Sequence, residues 1–318
     1  MLVLAFLVPA VLPESFAPGR TAVITGAAAG LGRAAALKCA TLGMQVCLID
    51  IDADALEATT AMVADVAVGG EAAVMSSCID VSDRGKVISL CDAVYARFGE
   101  VGFLLSNAGA GIGSPSALRD YDKWTRSLDV NFNSALHVLQ AFVPKMLAQG
   151  TRATVVTTGS KQGITMPPGN LAYNVAKAGL KALTEGLQHE LRSSADNTDG
   201  RLQAHLFVPG FVNTDLAINY FKELKGDAFD EDTDVPWSEE KPSAGGWMPM
   251  QSACKWLEPS PAELVRIARP LSDVGCVLWQ LSTTSLTRSE RGASTSFART
   301  MTSRPRWTES VSPGRLAT

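Results

Sequence analysis

Apolar and polar positions along the chain alternate between two periods. Short β-branched runs are each followed by a stretch with apolar residues at helical spacing. RTAVIT (Arg20 to Thr25) predicts a buried strand, followed by a glycine turn and a helical run to Gly43; Gln45 to Ile49 predicts a second strand ending at Asp50. Ala72 to Cys78 and Val101 to Ser106 predict two more strands, with a helix to Phe98 between them, and a long helix is expected from about Asp120 to Gln149. TRATVV, Thr151 to Val156, predicts a fifth strand, Leu171 to Leu191 a helix, and Leu202 to Val208 a sixth strand. Strands alternating with helices imply an α/β class, a doubly wound parallel sheet of the Rossmann type, with ligands held beyond the carboxyl ends of the strands.

The chemistry concentrates between Thr157 and Arg192. Ser160 falls just past a strand end, and Tyr173 and Lys177 lie one helical turn apart, so the ammonium can stand near the phenol. A phenol titrates near pH ~10, and a neighbouring cation is expected to lower that value and make Tyr173 a general acid/base. Tyr-x3-Lys alone is a short motif that also marks an ordinary solvated helix face; Ser160 and the glycine turn are what raise it to a catalytic trio.

GAAAGLG, Gly26 to Gly32, sits between a strand and a helix, as a dinucleotide fingerprint requires. Gly26 permits the tight turn, Gly30 lets the backbone approach a pyrophosphate, Gly32 lets the helix pack on the sheet, and the helix start offers N–H groups to phosphate. Asp50 follows Gly26 by 24 residues and ends the second strand, where a carboxylate accepts from a ribose 2′-hydroxyl and repels a 2′-phosphate. The next residue, Ile51, brings no cation, so NAD is expected over NADP; a helix-capping role for Asp50 is less favoured, because Asp52 and Asp54 are better placed. Asp80, Asn107 and Ser160 also fall at strand ends, and Asn131, in the helical run DVNFNS, either holds a water chain or caps a bend.

Composition narrows the rest. A chain of 318 residues, 46% hydrophobic, can bury a large α/β core, and a net charge of −4 gives no sign of nucleic acid. Six cysteines without Cys-x-x-Cys or metal spacing fit a reduced, cytoplasmic setting with no metal. The opening MLVLAFLVPAVL is too short to span a bilayer and is expected to be a docked arm rather than a signal peptide. His137, His189 and His205 lie apart, so no Ser-His-Asp arrangement forms, and Gly159-Ser160 lacks the spacing of a hydrolase elbow. Leu216 to Trp247, acidic and studded with aromatics, is expected to be a lid; Ile112, Ile164, Met166, Phe211 and Phe221 are candidate apolar pocket walls or core.

With these residues assembled, the chain resembles the short-chain dehydrogenase/reductase family from about Gly19 to Gly246. TGAAAGLG, including Leu31, is similar to the family's TGxxxGxG, Asn107-Ala108-Gly109 to its NAG, Tyr173-x3-Lys177 to its YxxxK, and Pro209-Gly210-x3-Thr214, spanning Val212, to its PGxxxT. Ser106, where Asn is commoner, is a minor departure. The resemblance implies that Tyr173 is the acid/base, Ser160 bonds the substrate oxygen, and Lys177 binds the nicotinamide ribose. It further implies that Asn131 anchors a relay water, Asp80 contacts adenine, and Thr214 holds the carboxamide. The implied reaction is hydride exchange between NAD(H) and a small-molecule secondary alcohol or ketone, in a homodimer or homotetramer. The alternative is an idle dinucleotide-binding protein with an aberrant C-terminus.

Residues 1–249 are thus expected to form the dinucleotide-binding and catalytic domain, and 250–318 a non-family tail. From 282 onward the tail is rich in Ser, Thr and Arg, a composition expected to stay unpacked. STSFARTMTS, Ser294 to Ser303, back-read one nucleotide earlier, yields FYILCPDNDV, similar to a seventh strand in some relatives. A retained intron or frame change is the expectation, with loss of the edge strand weakening oligomer formation.

Overall fold

The computed structural model describes residues 13–114 and 116–210, then 212, 214, 216, 218, 219, 222 and 226–228, and the backbone of Cys276–Trp279. The N-terminal arm, most of the expected lid, Phe211, Phe221 and nearly all of the tail lie outside the described residues. The described elements all belong to a unit spanning Met1–Gln280.

Chain order is β1 (Thr21–Thr25), α1 (Gly30–Thr41), β2 (Gln45–Asp50), α2 (Ala53–Val66), β3 (Val74–Cys78), α3 (Arg84–Phe98) and β4 (Phe103–Ser106). Then come α4 (Tyr121–Leu128), α5 (Ser134–Ala148), β5 (Ala153–Thr158), α6 (Gln162–Thr165), α7 (Leu171–Ser193), β6 (Leu202–Pro209) and β7 (Cys276–Trp279). Strand order is β3-β2-β1-β4-β5-β6-β7; the first six run parallel, so the expected doubly wound sheet is present. Alternation within β1 shows how the layers form. Ala22 and Ile24 face one core with Leu56, Val63 and Phe103, while Val23 faces the other with Leu90, Val138 and Phe142. Burial on both faces is why these strands read as continuous apolar runs.

One expectation needs correction. The long helix from Asp120 to Gln149 is two helices joined by a π turn at Asp129–Asn133, which contains the buried Asn131. Asn133 Nδ2 donates to Asp129 Oδ1 within that turn, and Ser134 Oγ to the Val130 carbonyl, so polar side chains compete with the helical ladder where it widens. At the sheet edge, Cys276–Trp279, within residues 250–318, pairs antiparallel with β6 in the register Leu206↔Trp279 to Pro209↔Cys276. CVLW is itself a short run of strand-favouring residues, a signal hidden by the polar sequence around it.

Candidate active site

The carboxyl ends of the parallel strands open on a cavity of about 980 Å³. Its lining includes Gly26, Gly30, Leu31, Asp50, Asn107, Gly109, Ser160, Tyr173, Lys177, Pro209, Gly210, Val212 and Thr214, residues singled out from sequence and up to 188 positions apart in the chain. Asp80 and Asn131 are not in its walls.

At the glycine turn, space is the controlling quantity. A Cβ on Gly32 would lie 1.9 Å from the Gly26 carbonyl oxygen, so α1 approaches β1 as closely as only glycine allows. Gly26 has φ +65°, and a Cβ there would meet Ala108 Cα at 2.9 Å; one on Gly30, at φ +52°, would meet Thr214 Cγ2 at 2.9 Å. Ala29 caps α1 without a side-chain bond, which leaves the first N–H groups of the helix to face the cavity. A cradle cut to glycine and aimed by a helix N-terminus fits a dinucleotide diphosphate.

Asn107 ties this turn to the sheet. Its Nδ2 donates to the carbonyls of Thr25 and Gly26, both at 3.2 Å, and its Oδ1 accepts from Thr158 Oγ1 at 3.1 Å. Asp50 accepts from Ala28 N at 2.9 Å, Ile51 N at 2.8 Å and Asp52 N at 3.2 Å, so it braces the turn as well as lining the cavity. Asp52 caps α2 by accepting from Ala55 N, as its position in the sequence implies. The Asp80 carboxylate is bonded by Ser82 through both N and Oγ, which holds it below the usual carboxylate range.

At the other end, α7 presents Tyr173 and Lys177 to the cavity. Lys177 Nζ stands 5.5 Å from the Tyr173 ring centroid and donates to the Thr158 carbonyl at 2.9 Å. Ser160 shares a side-chain hydrogen bond with Tyr173, and Ser160 Oγ accepts from Gln162 N at 3.1 Å. The three side chains expected to act together do converge. Their electrostatics differ from expectation. Burial pushes the Tyr173 phenol up to about 12, with the Ser160 bond pulling the other way, and burial brings Lys177 down to about 8. The ammonium lies over the ring and is turned to a carbonyl, and loss of water outweighs its effect on the phenol.

Asn131 grips Ala110 at both ends, accepting from its N–H at 3.0 Å and donating to its carbonyl at 2.9 Å. It abuts Gly109, where a Cβ would lie 2.9 Å from Asn131 Oδ1 and 3.5 Å from Lys177 Nζ. The amide therefore shapes the loop behind Lys177. Ile112, Ile164 and Met166 are not among the cavity walls, and the last two are 42% and 47% exposed. Gln162, Thr165 and Asn170 line it instead, a polar wall that sequence reading missed. The signal was available: Gln162 and Thr165 are three apart on one turn of helix and share a face that excludes Ile164. Among the described residues, no group of His, Cys, Asp and Glu could hold a metal, and no helix is long and apolar enough to cross a membrane.

Comparison with known proteins places the chain beside several oxidoreductases. A Mycobacterium tuberculosis protein named putative oxidoreductase SadH is 35% identical over 173 residues, covering 54% of this chain and 61% of SadH; the chain thus spans about three fifths of that relative. A short-chain dehydrogenase/reductase from Burkholderia phymatum, solved in complex with NAD, is 30% identical with a TM-score of 0.63, covering 82% of this chain and 100% of that one. A metagenomic short-chain oxidoreductase solved with NADP is also 30% identical, with a TM-score of 0.55, covering 61% of this chain and 84% of that one. Because the model of the short chain dehydrogenase family also matches residues 20–225, well over half of the sequence, the chain belongs to that family.

Proposed function

We propose that this protein is an NAD-dependent oxidoreductase that interconverts a secondary alcohol and its ketone, with Tyr173 as general acid/base. The observation that carries the reading is that Ser160, Tyr173 and Lys177 share one cavity with the glycine turn. NAD(H), when bound, supplies the hydride donor or acceptor at the nicotinamide C4 carbon. The preference for NAD is supported by Asp50 at the end of β2, whose carboxylate is fixed by three backbone N–H groups.

In ketone reduction, the Tyr173 hydroxyl gives its proton to the carbonyl oxygen while Ser160 donates a hydrogen bond to the same oxygen. In alcohol oxidation the proton returns to the phenolate. The phenol, pushed up by burial, is protonated at neutral pH and enters reduction in its acid form. Lys177, held by the Thr158 carbonyl, lies against the ring and stabilises negative charge as it develops on the hydroxyl. Asn131, by fixing the Ala110 loop, keeps Gly109 flat against Lys177. The polar wall of Gln162, Thr165 and Asn170 supports a substrate with hydrogen-bonding groups beside the reacting carbon.

Tyr173→Phe tests the reading. We expect turnover on an alcohol and ketone panel to fall about 10²- to 10⁴-fold while NADH still binds. If wild-type protein binds NADH but turns over no member of a broad panel, the idle-binder reading replaces this one.

A further inference from the structure

The Ala28 carbonyl accepts three side-chain hydrogen bonds from two helices. Thr59 Oγ1, from the middle of α2, donates to it at 2.9 Å; Arg33 Nε, from α1, donates to it at 3.0 Å, and Arg33 Nη2 donates to the same oxygen. Arg33 Nε also reaches Thr59 Oγ1 at 2.9 Å, so the threonine hydroxyl accepts from the guanidinium and donates to the carbonyl. On its other side, the N–H of Ala28 donates to Asp50 Oδ2. One residue of the glycine turn is therefore pinned by β2, α1 and α2 together. Ala28 is 2% exposed and Thr59 fully buried.

The direction of that grip matters. Across a trans peptide the carbonyl of Ala28 and the N–H of Ala29 point opposite ways. Thr59 is not a cavity residue, whereas Ala28, Ala29 and Arg33 are. Drawing the carbonyl toward α2 removes a partial negative charge from the place a phosphate would occupy and turns the Ala29 N–H toward the cavity. A loop free to flip that peptide would offer the phosphate an oxygen instead.

We propose that Thr59 is a positioning residue for dinucleotide binding: through the Ala28 carbonyl it fixes the peptide whose N–H faces the diphosphate. The proposal rests on the dinucleotide reading of the glycine turn and goes beyond it by giving a buried threonine of α2 a part in affinity. Thr59→Val removes the donor at nearly constant volume, and Thr59→Ser restores it. The measurements, on full-length protein, are the Kd values of NADH, NADPH and ADP-ribose, with the melting temperature alongside.

Losing one net hydrogen bond of about 1 kcal/mol corresponds to roughly fivefold. We expect Thr59→Val to weaken NADH and ADP-ribose about fivefold, Thr59→Ser to return both to within twofold of wild type, and the NADH to NADPH ratio to stay constant. Thr59→Cys, a weaker donor, should fall between Ser and Val, so the ordering remains readable if Thr59→Val does not fold. Unchanged affinity in the Val and Cys variants, no rescue by Ser, or a shift in the NADH to NADPH ratio would each overturn the proposal. Wild-type protein that binds neither NADH nor ADP-ribose would instead overturn the dinucleotide reading, and this proposal with it.

Discussion

Tyr173 and Lys177 show how burial can reverse a local electrostatic argument. An i,i+4 cation near a phenol lowers its pKa when both are solvated, but Lys177 is 3% exposed, and both groups pay for charge in a dry site. The sign of the resulting pH dependence follows from the direction of each shift. Lys177 is lowered from 10.5 to about 8. Below pH about 8 it is protonated in folded and unfolded chains alike, and the cost of burying its charge is fully present. Between about 8 and 10.5 the unfolded chain keeps a proton that the folded chain has shed, so stability rises with pH. Tyr173, raised to about 12, works in the opposite sense above pH 10. We therefore expect wild-type protein to gain about 2 kcal/mol of unfolding free energy relative to Lys177→Met between pH 7.5 and 10. Denaturant titrations at the two pH values check this; parallel behaviour of the two proteins would contradict it.

At the scale of elements, the site depends on helices that touch backbone to backbone. A Cβ on Gly163, in α6, would stand 2.6 Å from the Lys177 carbonyl carbon and 2.8 Å from Ala178 N, so α6 lies directly on α7. Gly163 N also bonds the Ser160 carbonyl at 3.0 Å, and Gln162 N bonds Ser160 Oγ, which makes α6 the splint that holds Ser160 to Tyr173. Gly163→Ala is expected to push the two helices apart, lower kcat at least tenfold and leave the Kd for NADH within about twofold, because small displacements of a reacting group cost rate steeply. Equal losses in kcat and NADH affinity would show that α6 supports the whole cavity rather than the end that holds Ser160 and Tyr173. The π turn at Asp129–Asn133 is a similar device: it turns the Asn131 amide onto the Ala110 backbone, and a regular helix would carry that side chain on a different face.

For the whole molecule, β7 occupies the sheet edge beside β6, whose far end carries Pro209 at the cavity rim. Four paired residues contribute little by themselves, but they cover a strand whose backbone would otherwise be open to another chain. Truncation after Pro249 is expected to lower the melting temperature by several degrees and promote concentration-dependent association, while NADH still binds, since Gly26 and Asn107 directly follow β1 and β4 and Asp50 ends β2, all away from the β7 edge. Differential scanning calorimetry and light scattering at two protein concentrations test it. An unchanged melting temperature would mean that β7 gives the sheet no support.

What the sequence determined by itself was everything that rests on local period and fixed spacing. Six strands and their order of appearance, the glycine turn, and the strand-end positions of Asp50, Asn107 and Ser160 follow from short strand-period runs, fully buried in β1 and β4 and partly exposed in β3, and from turns that only glycine can make. The sharing of one helix face by Tyr173 and Lys177 follows from 3.6 residues per turn. Tertiary structure alone decided what depends on contacts between distant segments. Desolvation of Tyr173 and Lys177, the face of α6 that lines the cavity, the grip of Asn131 on Ala110 and the reach of Thr59 to Ala28 each require two elements to meet. Periodicity says which residues share a face; only packing says what that face is set against, and the energy of a buried polar group is fixed by its neighbours.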